Sequence, residues 1–221
     1  MPAMTNPWLE IPLADYEGHM SLPAIGQAEM LNDQLGALIA RFCPSSVAVI
    51  GCAGGNGFAH GASIARFVGV DINPRYIERA ASRYRGRMPG LELHVADIQC
   101  ESQLFRPVEL IFAALVFEYV DLAASMRNLA RHCERGGRLA ALVQLPHATQ
   151  GAVTPSPYSS LQRLGPVMKL VAPEMLVAHA AEAGFALEHS HEIDLPSGKL
   201  FGLHVFRLTE GDAGHGRQEI E

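Results

Sequence analysis

Five short apolar runs, separated by turns and helical stretches, constrain this chain more than any other feature. They read "SVAVIG", "FVGVD", "LELHVAD", "VELIFAALVF" and "RLAALVQL". Each has the length and β-branched content of a buried strand. A helix is expected near "GFAHGASIARF". Another opens at "NPRYIERAASRY", with Asn73 as cap and Pro74 at its first position. Asp121 caps "DLAASMRNLARHCERGG", whose stripe is Leu122, Met126, Leu129 and Cys133 and whose stop is Gly136. Strands alternating with helices specify a parallel sheet covered on both faces. The C-terminal third departs from this rhythm. A helix from Pro173 to Gly184 precedes "FALEHSHEIDL" and "KLFGLHVFRL", joined by "PSG", which reads as an antiparallel hairpin. Near the N-terminus, "WLEIPLADYEGHM" is too irregular for a clean helix. "GQAEMLNDQLGALIARFCP" carries a helical stripe of Met30, Leu31, Leu35, Leu38, Ile39 and Phe42, closed by Pro44.

Composition narrows the function classes. At 221 residues, 48% apolar and 18% charged, the chain suits one well-buried globular domain. A net charge of −6 repels phosphate backbones, so no nucleic-acid partner is expected. Cys43, Cys52, Cys100 and Cys133 form no C-x-x-C pair, which argues for reduced thiols and a cytoplasmic protein rather than a zinc or disulfide framework. No signal peptide is visible, and the run "LIFAALVF" is too short to cross a bilayer, so no membrane partner is expected. His179, His189, His191 and His204 lack a ligand pattern around them, and no metal site is expected.

The first turn reads "GCAGGNG", four glycines within seven positions. In a doubly wound sheet such a turn lies where ligands bind. Read against the dinucleotide fingerprint, Gly51 to Asn56 give G-x-A-x-x-N, which fails at two of three positions; the turn also lacks the G-K-[ST] of a P-loop. Asp71 ends the second strand about 20 residues after Gly51, in register to accept two hydrogen bonds from a ribose diol. The alternative is that it only begins the "DINP" turn. Asp97 ends the third strand and either receives an adenine amino group or caps the next segment. A turn glycine and two carboxylates at three successive strand ends form a crevice for a nucleoside without requiring a phosphate.

The series "VAVIGCAGGNGF…VGVDINPRYIERA…LHVADI…VELIFAALVFEYVD" resembles the motifs of class I S-adenosylmethionine-dependent methyltransferases across roughly residues 46–145. The resemblance implies a Rossmann-like, seven-stranded, mostly parallel α/β sheet with helices on both faces and an antiparallel C-terminal hairpin. It implies S-adenosylmethionine as cofactor, carried by the turn Gly51, Cys52, Ala53, Gly54 and Gly55, with Gly51, Ala53 and Gly55 along the methionine portion. It further implies Asp71 at the ribose, Ile72 on the adenine, Asp97 with Ile98 at the adenine edge, and Ala113 and Leu115 flanking the sulfonium. The cofactor has no phosphate, so the turn needs no basic residue, and its carboxylate suits N–H groups at a helix start after Gly55. One departure is Val49, where the family usually has an acidic residue that helps place the cofactor's amino group. Tyr16, Glu17 and His19 are candidate substitutes.

The expected organisation is an N-terminal strap and helix over 1–45 capping the site, a methyltransferase domain over 46–208 with a candidate lid at 146–172, and a mobile tail over 209–221. Methyl transfer is an in-line displacement that demands alignment and dryness more than acid–base chemistry. Candidates on the acceptor side are His19, Tyr16, Glu118, Tyr119 and His147, with Tyr158, Leu164, Met168 and Leu170 as pocket walls. "AALVFEY" after strand four lacks the signature of exocyclic-amine methylation in nucleic acids, which points to a small-molecule acceptor. Two other readings fit the architecture. One is a catalytically degenerate methyltransferase fold that binds without turnover, which Val49 keeps open. The other is an NAD(P)-dependent oxidoreductase, which the broken fingerprint opposes.

Overall fold

In the computed structural model, residues 6–146 and 153–209 are described. Seven strands form one sheet in the order β3-β2-β1-β4-β5-β7-β6. They are β1 (Ser46–Ile50), β2 (Arg66–Asp71), β3 (Leu91–Val95), β4 (Val108–Ala114), β5 (Cys133–Gln144), β6 (Phe185–Asp194) and β7 (Leu200–Leu208). β1 to β5 run parallel, while β7 is antiparallel to both β5 and β6. The helices are α1 (Leu13–Met20), α2 (Gln27–Phe42), α3 (Pro74–Tyr84), α4 (Leu122–Arg131) and α5 (Pro173–Glu182).

Strand alternation sorts side chains into two cores. Val47, Val49, Leu110 and Phe112 point to the face carrying Leu31, Leu35 and Leu38 of α2 and Ile77 and Ala80 of α3. Ala48, Ile50, Ile111 and Ala113 point to the opposite face, against Met126 and Leu129 of α4 and Leu176 and Ala180 of α5. The caps follow the sequence logic: Asn73 accepts from Arg75 N at 3.0 Å and Asp121 from Ala124 N at 2.7 Å.

Four local expectations change. The segment read as irregular contains α1, whose Gly18 leaves room for the Tyr158 ring, because a Cβ there would stand 2.3 Å from it. After the glycine turn the chain forms only a six-residue 3-10 helix, Phe58–Ser63. Positive φ at Gly51, Ala53, Gly55 and Gly57 interrupts α-helical nucleation. α4 stops at Arg131, so Cys133 begins β5 rather than ending a helical stripe, and Gly136 (φ 74°) lies inside β5 near a register shift. β4 ends at Ala114, and Phe117–Tyr119 form a separate 3-10 turn. His147 and the tail from residue 210 lie outside the described residues.

Candidate active site

The chain reverses its strand order between β1 and β4, and a cavity lies along the carboxyl edge of the sheet at that point. Gly51 and Ala53 line it from the β1 turn, Asp71 and Ile72 from β2, Asp97 and Ile98 from β3, and Leu115 from β4. It continues past Gln144 at the end of β5 to Lys199 at the start of β7. Because β7 runs antiparallel, its beginning, not its end, joins this edge. The roof comes from Trp8, Tyr16, His19 and Met20 of the N-terminal segment and from Leu161, Leu164 and Met168 of the connection before α5.

Asp71 is the most constrained of these groups. Its Oδ2 accepts from Ala53 N and its Oδ1 from Asn73 N, both at 2.9 Å. Burial pushes its pKa up to about 6, against the pull of those N–H groups. A carboxylate has further lone pairs beyond two such bonds, and the backbone of Ile72 also acts on this one. Asn73 Nδ2 in turn donates to Trp8 O at 2.8 Å, and Tyr76 Oη donates to Ile11 O at 2.9 Å, which seats the N-terminal segment over β2. Asp97 is engaged locally, accepting from Gln99 N at 3.0 Å and Gln99 Nε2 at 3.1 Å. Apolar Val70, Ile72, Ala96 and Ile98 complete this end, and among the described residues no Lys or Arg lines it. Two carboxylates in an apolar setting fit an uncharged nucleoside and disfavour a pyrophosphate.

The glycine turn divides. Cys52, Gly54 and Gly55 are not among the lining residues, and neither is Ala113, which packs into the α4–α5 face. A Cβ on Gly54 would meet Glu17 and Arg83, one on Gly55 would meet Tyr84, and one on Gly57 would meet Leu35. Much of the bare backbone therefore receives the protein's own side chains. Ala53 (φ 48°) and Leu115 (φ 57°), both at the cavity, hold left-handed backbone that costs an L-residue roughly 1–2 kcal/mol. With only a six-residue 3-10 turn following, the helix start expected to meet the cofactor carboxylate does not form.

Of the residues expected on the acceptor side, Tyr16, His19 and Tyr119 line the cavity. Tyr16 Oη accepts from Asn56 Nδ2 at 3.1 Å and its ring stacks on Tyr76; Trp8 meets Tyr16 and Tyr119 edge-on, with centroids 5.8 and 5.1 Å away. Burial raises both tyrosine pKa values. His19 pairs with Ser156 Oγ at 2.9 Å, and burial, with Lys199 nearby, lowers its pKa. Glu118 lies behind the wall, its Oε1 accepting from Gln144 N at 2.8 Å. Glu17 is turned to Arg83. Of the anticipated walls, Leu164 and Met168 line the cavity, whereas Tyr158 and Leu170 do not. Gln27, Gln144, Thr154 and Lys199 also line it and were not singled out in the sequence. "PSGK" reads as a hairpin turn, and only the insertion of β7 beside β5 brings its lysine to this edge.

Residues 47–137 match the model of a family described as a methyltransferase domain. No curated protein matches the sequence. Among solved structures, the N-methyltransferase NodS from Bradyrhizobium japonicum WM9, in complex with S-adenosyl-L-homocysteine, superposes with a TM-score of 0.69 at 22% identity, over 94% of this chain and 100% of that one. Magnesium protoporphyrin IX methyltransferase from Synechocystis PCC 6803, with S-adenosyl-L-homocysteine bound, gives 0.66 at 14% identity, over 87% and 93% of the two chains. A geranyl diphosphate methyltransferase in complex with S-adenosylmethionine gives 0.61 at 15%, over 83% and 85%. These likenesses establish the fold, and the matched segment spans the strands that carry Gly51, Asp71, Asp97 and Leu115. Residues 47–137 thus match a methyltransferase domain, and the chain shares the fold of these methyltransferase structures.

Proposed function

We propose that the protein transfers a methyl group in line from S-adenosylmethionine to a small-molecule acceptor, with the nucleoside over β1 to β3 and the acceptor over β4, β5 and β7. The observation that carries this is one roofed cavity that is lined by both Asp71 and Lys199 and by apolar groups such as Ile72, Ile98 and Leu164. Asp71 holds the ribose diol, Asp97 the adenine edge, and Ile72 and Ile98 the adenine faces. The bound cofactor supplies a methyl group already activated by a sulfonium. The chain supplies position and dryness: Leu115 and Tyr119 border the middle of the cavity, and the roof excludes water. The enclosed volume favours a small acceptor over a protein segment or nucleic-acid strand, and the compared proteins named for protoporphyrin and geranyl diphosphate methylation also act on small molecules.

Calorimetric titration with S-adenosylhomocysteine tests the cofactor half. Saturable one-site binding is expected, weakened at least tenfold in Asp71→Ala as two charge-assisted hydrogen bonds are lost. Undiminished binding in the variant removes Asp71 from the site.

A further inference from the structure

Three aromatic rings, Trp8, Tyr16 and Tyr119, line the cavity together. Trp8 stands almost at right angles to both tyrosines, at 76° to Tyr16 and 87° to Tyr119, with centroids 5.8 and 5.1 Å away. Rings set this way form a corner with π faces turned in more than one direction, the geometry that surrounds a cation. The corner is fixed from behind. Asn73 Nδ2 donates to the Trp8 carbonyl, Asn56 Nδ2 donates to Tyr16 Oη, and Tyr16 stacks on Tyr76. All three rings pack against the buried cluster of Ile11, Leu161 and Leu164. The corner adjoins the proposed ribose site: Asn73 also donates its backbone N–H to Asp71, and the Asp71 charge reaches Tyr16. Asp71 and Asp97 are the carboxylates among the described lining residues, while Glu17 is turned to Arg83 and Glu118 lies behind the wall. With Asp71 serving the sugar and Asp97 the base, a positive sulfur beyond the ribose meets ring faces rather than a carboxylate.

Resting on the methyltransferase reading above, we infer that Trp8, Tyr16 and Tyr119 form a sulfonium-selective corner, which holds the charged cofactor and releases its neutral thioether product. Burial raises both tyrosine pKa values, so the rings act as neutral quadrupoles and not as phenolates. On transfer the acceptor's lone pair forms the new bond to the methyl carbon. The electron pair of the broken S–CH3 bond stays on sulfur, and the positive charge passes to the acceptor. The thioether left behind has no net charge for the corner to attract. A desolvated cation over aromatic faces is worth about tenfold in affinity, so the corner separates cofactor from product by that factor.

The test uses the full chain without acceptor. The probes are S-adenosylmethionine, S-adenosylhomocysteine and sinefungin, in which a carbon bearing an ammonium replaces the methylated sulfur. They are titrated by calorimetry at pH 7 into wild type, Trp8→Phe, Trp8→Leu and Tyr119→Leu. Wild type should bind both cationic ligands about tenfold tighter than S-adenosylhomocysteine. Trp8→Leu and Tyr119→Leu should each cut that preference at least about threefold, by weakening the cationic ligands, while Trp8→Phe keeps most of it. Trp8 is the only tryptophan in the chain, so its fluorescence reports this corner alone. Both cations should shift its emission relative to the S-adenosylhomocysteine complex. Equal wild-type affinity for the three ligands overturns the inference, as does identical emission from their complexes. A preference that survives in both leucine variants overturns it, and so does an equal loss of all three ligands, which marks a packing role. The wild-type affinities and emission need no variant, so they decide the matter even where Trp8→Leu does not fold. A wild type that binds none of the three ligands sinks the methyltransferase reading itself, whereas binding without charge preference sinks this inference alone.

Discussion

Glu118 shows how a single buried carboxyl sets the pH response of the site wall. It is 1% exposed, one oxygen accepts from Gln144 N, and Oε2 has no hydrogen-bond partner among the described residues. Burial pushes its pKa up to about 7 from an ordinary 4.5. The folded state therefore keeps a proton that the unfolded chain releases above pH 4.5. The resulting stability is present below that value and is lost as the pH rises toward 7. The loss is about 3 kcal/mol for this group. Asp71 is raised in the same sense, and the lowered pKa values of His19, His191 and His204 act oppositely, so the comparison must be a difference. Glu118→Gln keeps the acceptor for Gln144 N and removes the ionisation. Urea unfolding at pH 5 and pH 8 should show wild type losing about 2.5 kcal/mol more than the variant across that interval. Identical losses would mean Glu118 is ionised in the fold.

At the scale of elements, the N-terminal segment is tied down by polar contacts rather than by a deep apolar face alone. Arg83 on α3 grips Glu17 on α1, with NH2 to Oε2 at 2.9 Å, and donates to Gly54 O at 3.1 Å. One guanidinium thus joins α1, α3 and the glycine turn. Farther along, Asp15 accepts from Ser160 Oγ at 2.6 Å and Glu10 from Arg163 at 2.6 Å, which links the two parts of the roof. A partly exposed bidentate pair contributes about 1 kcal/mol. Arg83→Gln should therefore speed amide hydrogen exchange in α1 about fivefold while leaving β1 and β4 unchanged. Unchanged exchange in α1 would show that the Arg83–Glu17 pair does not hold the roof. Local chemistry made much of this element structure readable in advance: "DINP" announced Asp71, Asn73 and Pro74 in their roles at a strand end and helix cap. The glycine turn was not readable in the same way. A glycine that admits a ligand and one that admits Glu17, Tyr84 or Leu35 look alike in sequence, and only packing tells them apart.

At the scale of the whole molecule, the extent of the cavity depends on where the last hairpin enters the sheet. Strand number and the parallel core follow from alternation of apolar runs and helices, and were legible. That β7 sits between β5 and β6, with its first residues at the ligand edge, is a long-range pairing that no local signal carries. For that reason Asp71, Ile72, Asp97 and Ile98, at the ends of β2 and β3, could be named in advance as cavity residues, whereas Gln27, Gln144 and Lys199 could not. Under the proposed function, the cofactor's methionine portion would meet the roof residues Tyr16 and His19, which line the cavity as Val49 does not, rather than a helix start after β1.

The most direct measurement is a crystal structure of the full chain with S-adenosylhomocysteine. The account predicts the ribose diol on the Asp71 carboxylate, the adenine between Ile72 and Ile98, and the sulfur opposite Leu115 with the cavity toward Lys199 still free for an acceptor. A ligand bound elsewhere, or one whose ribose makes no contact with Asp71, would contradict it.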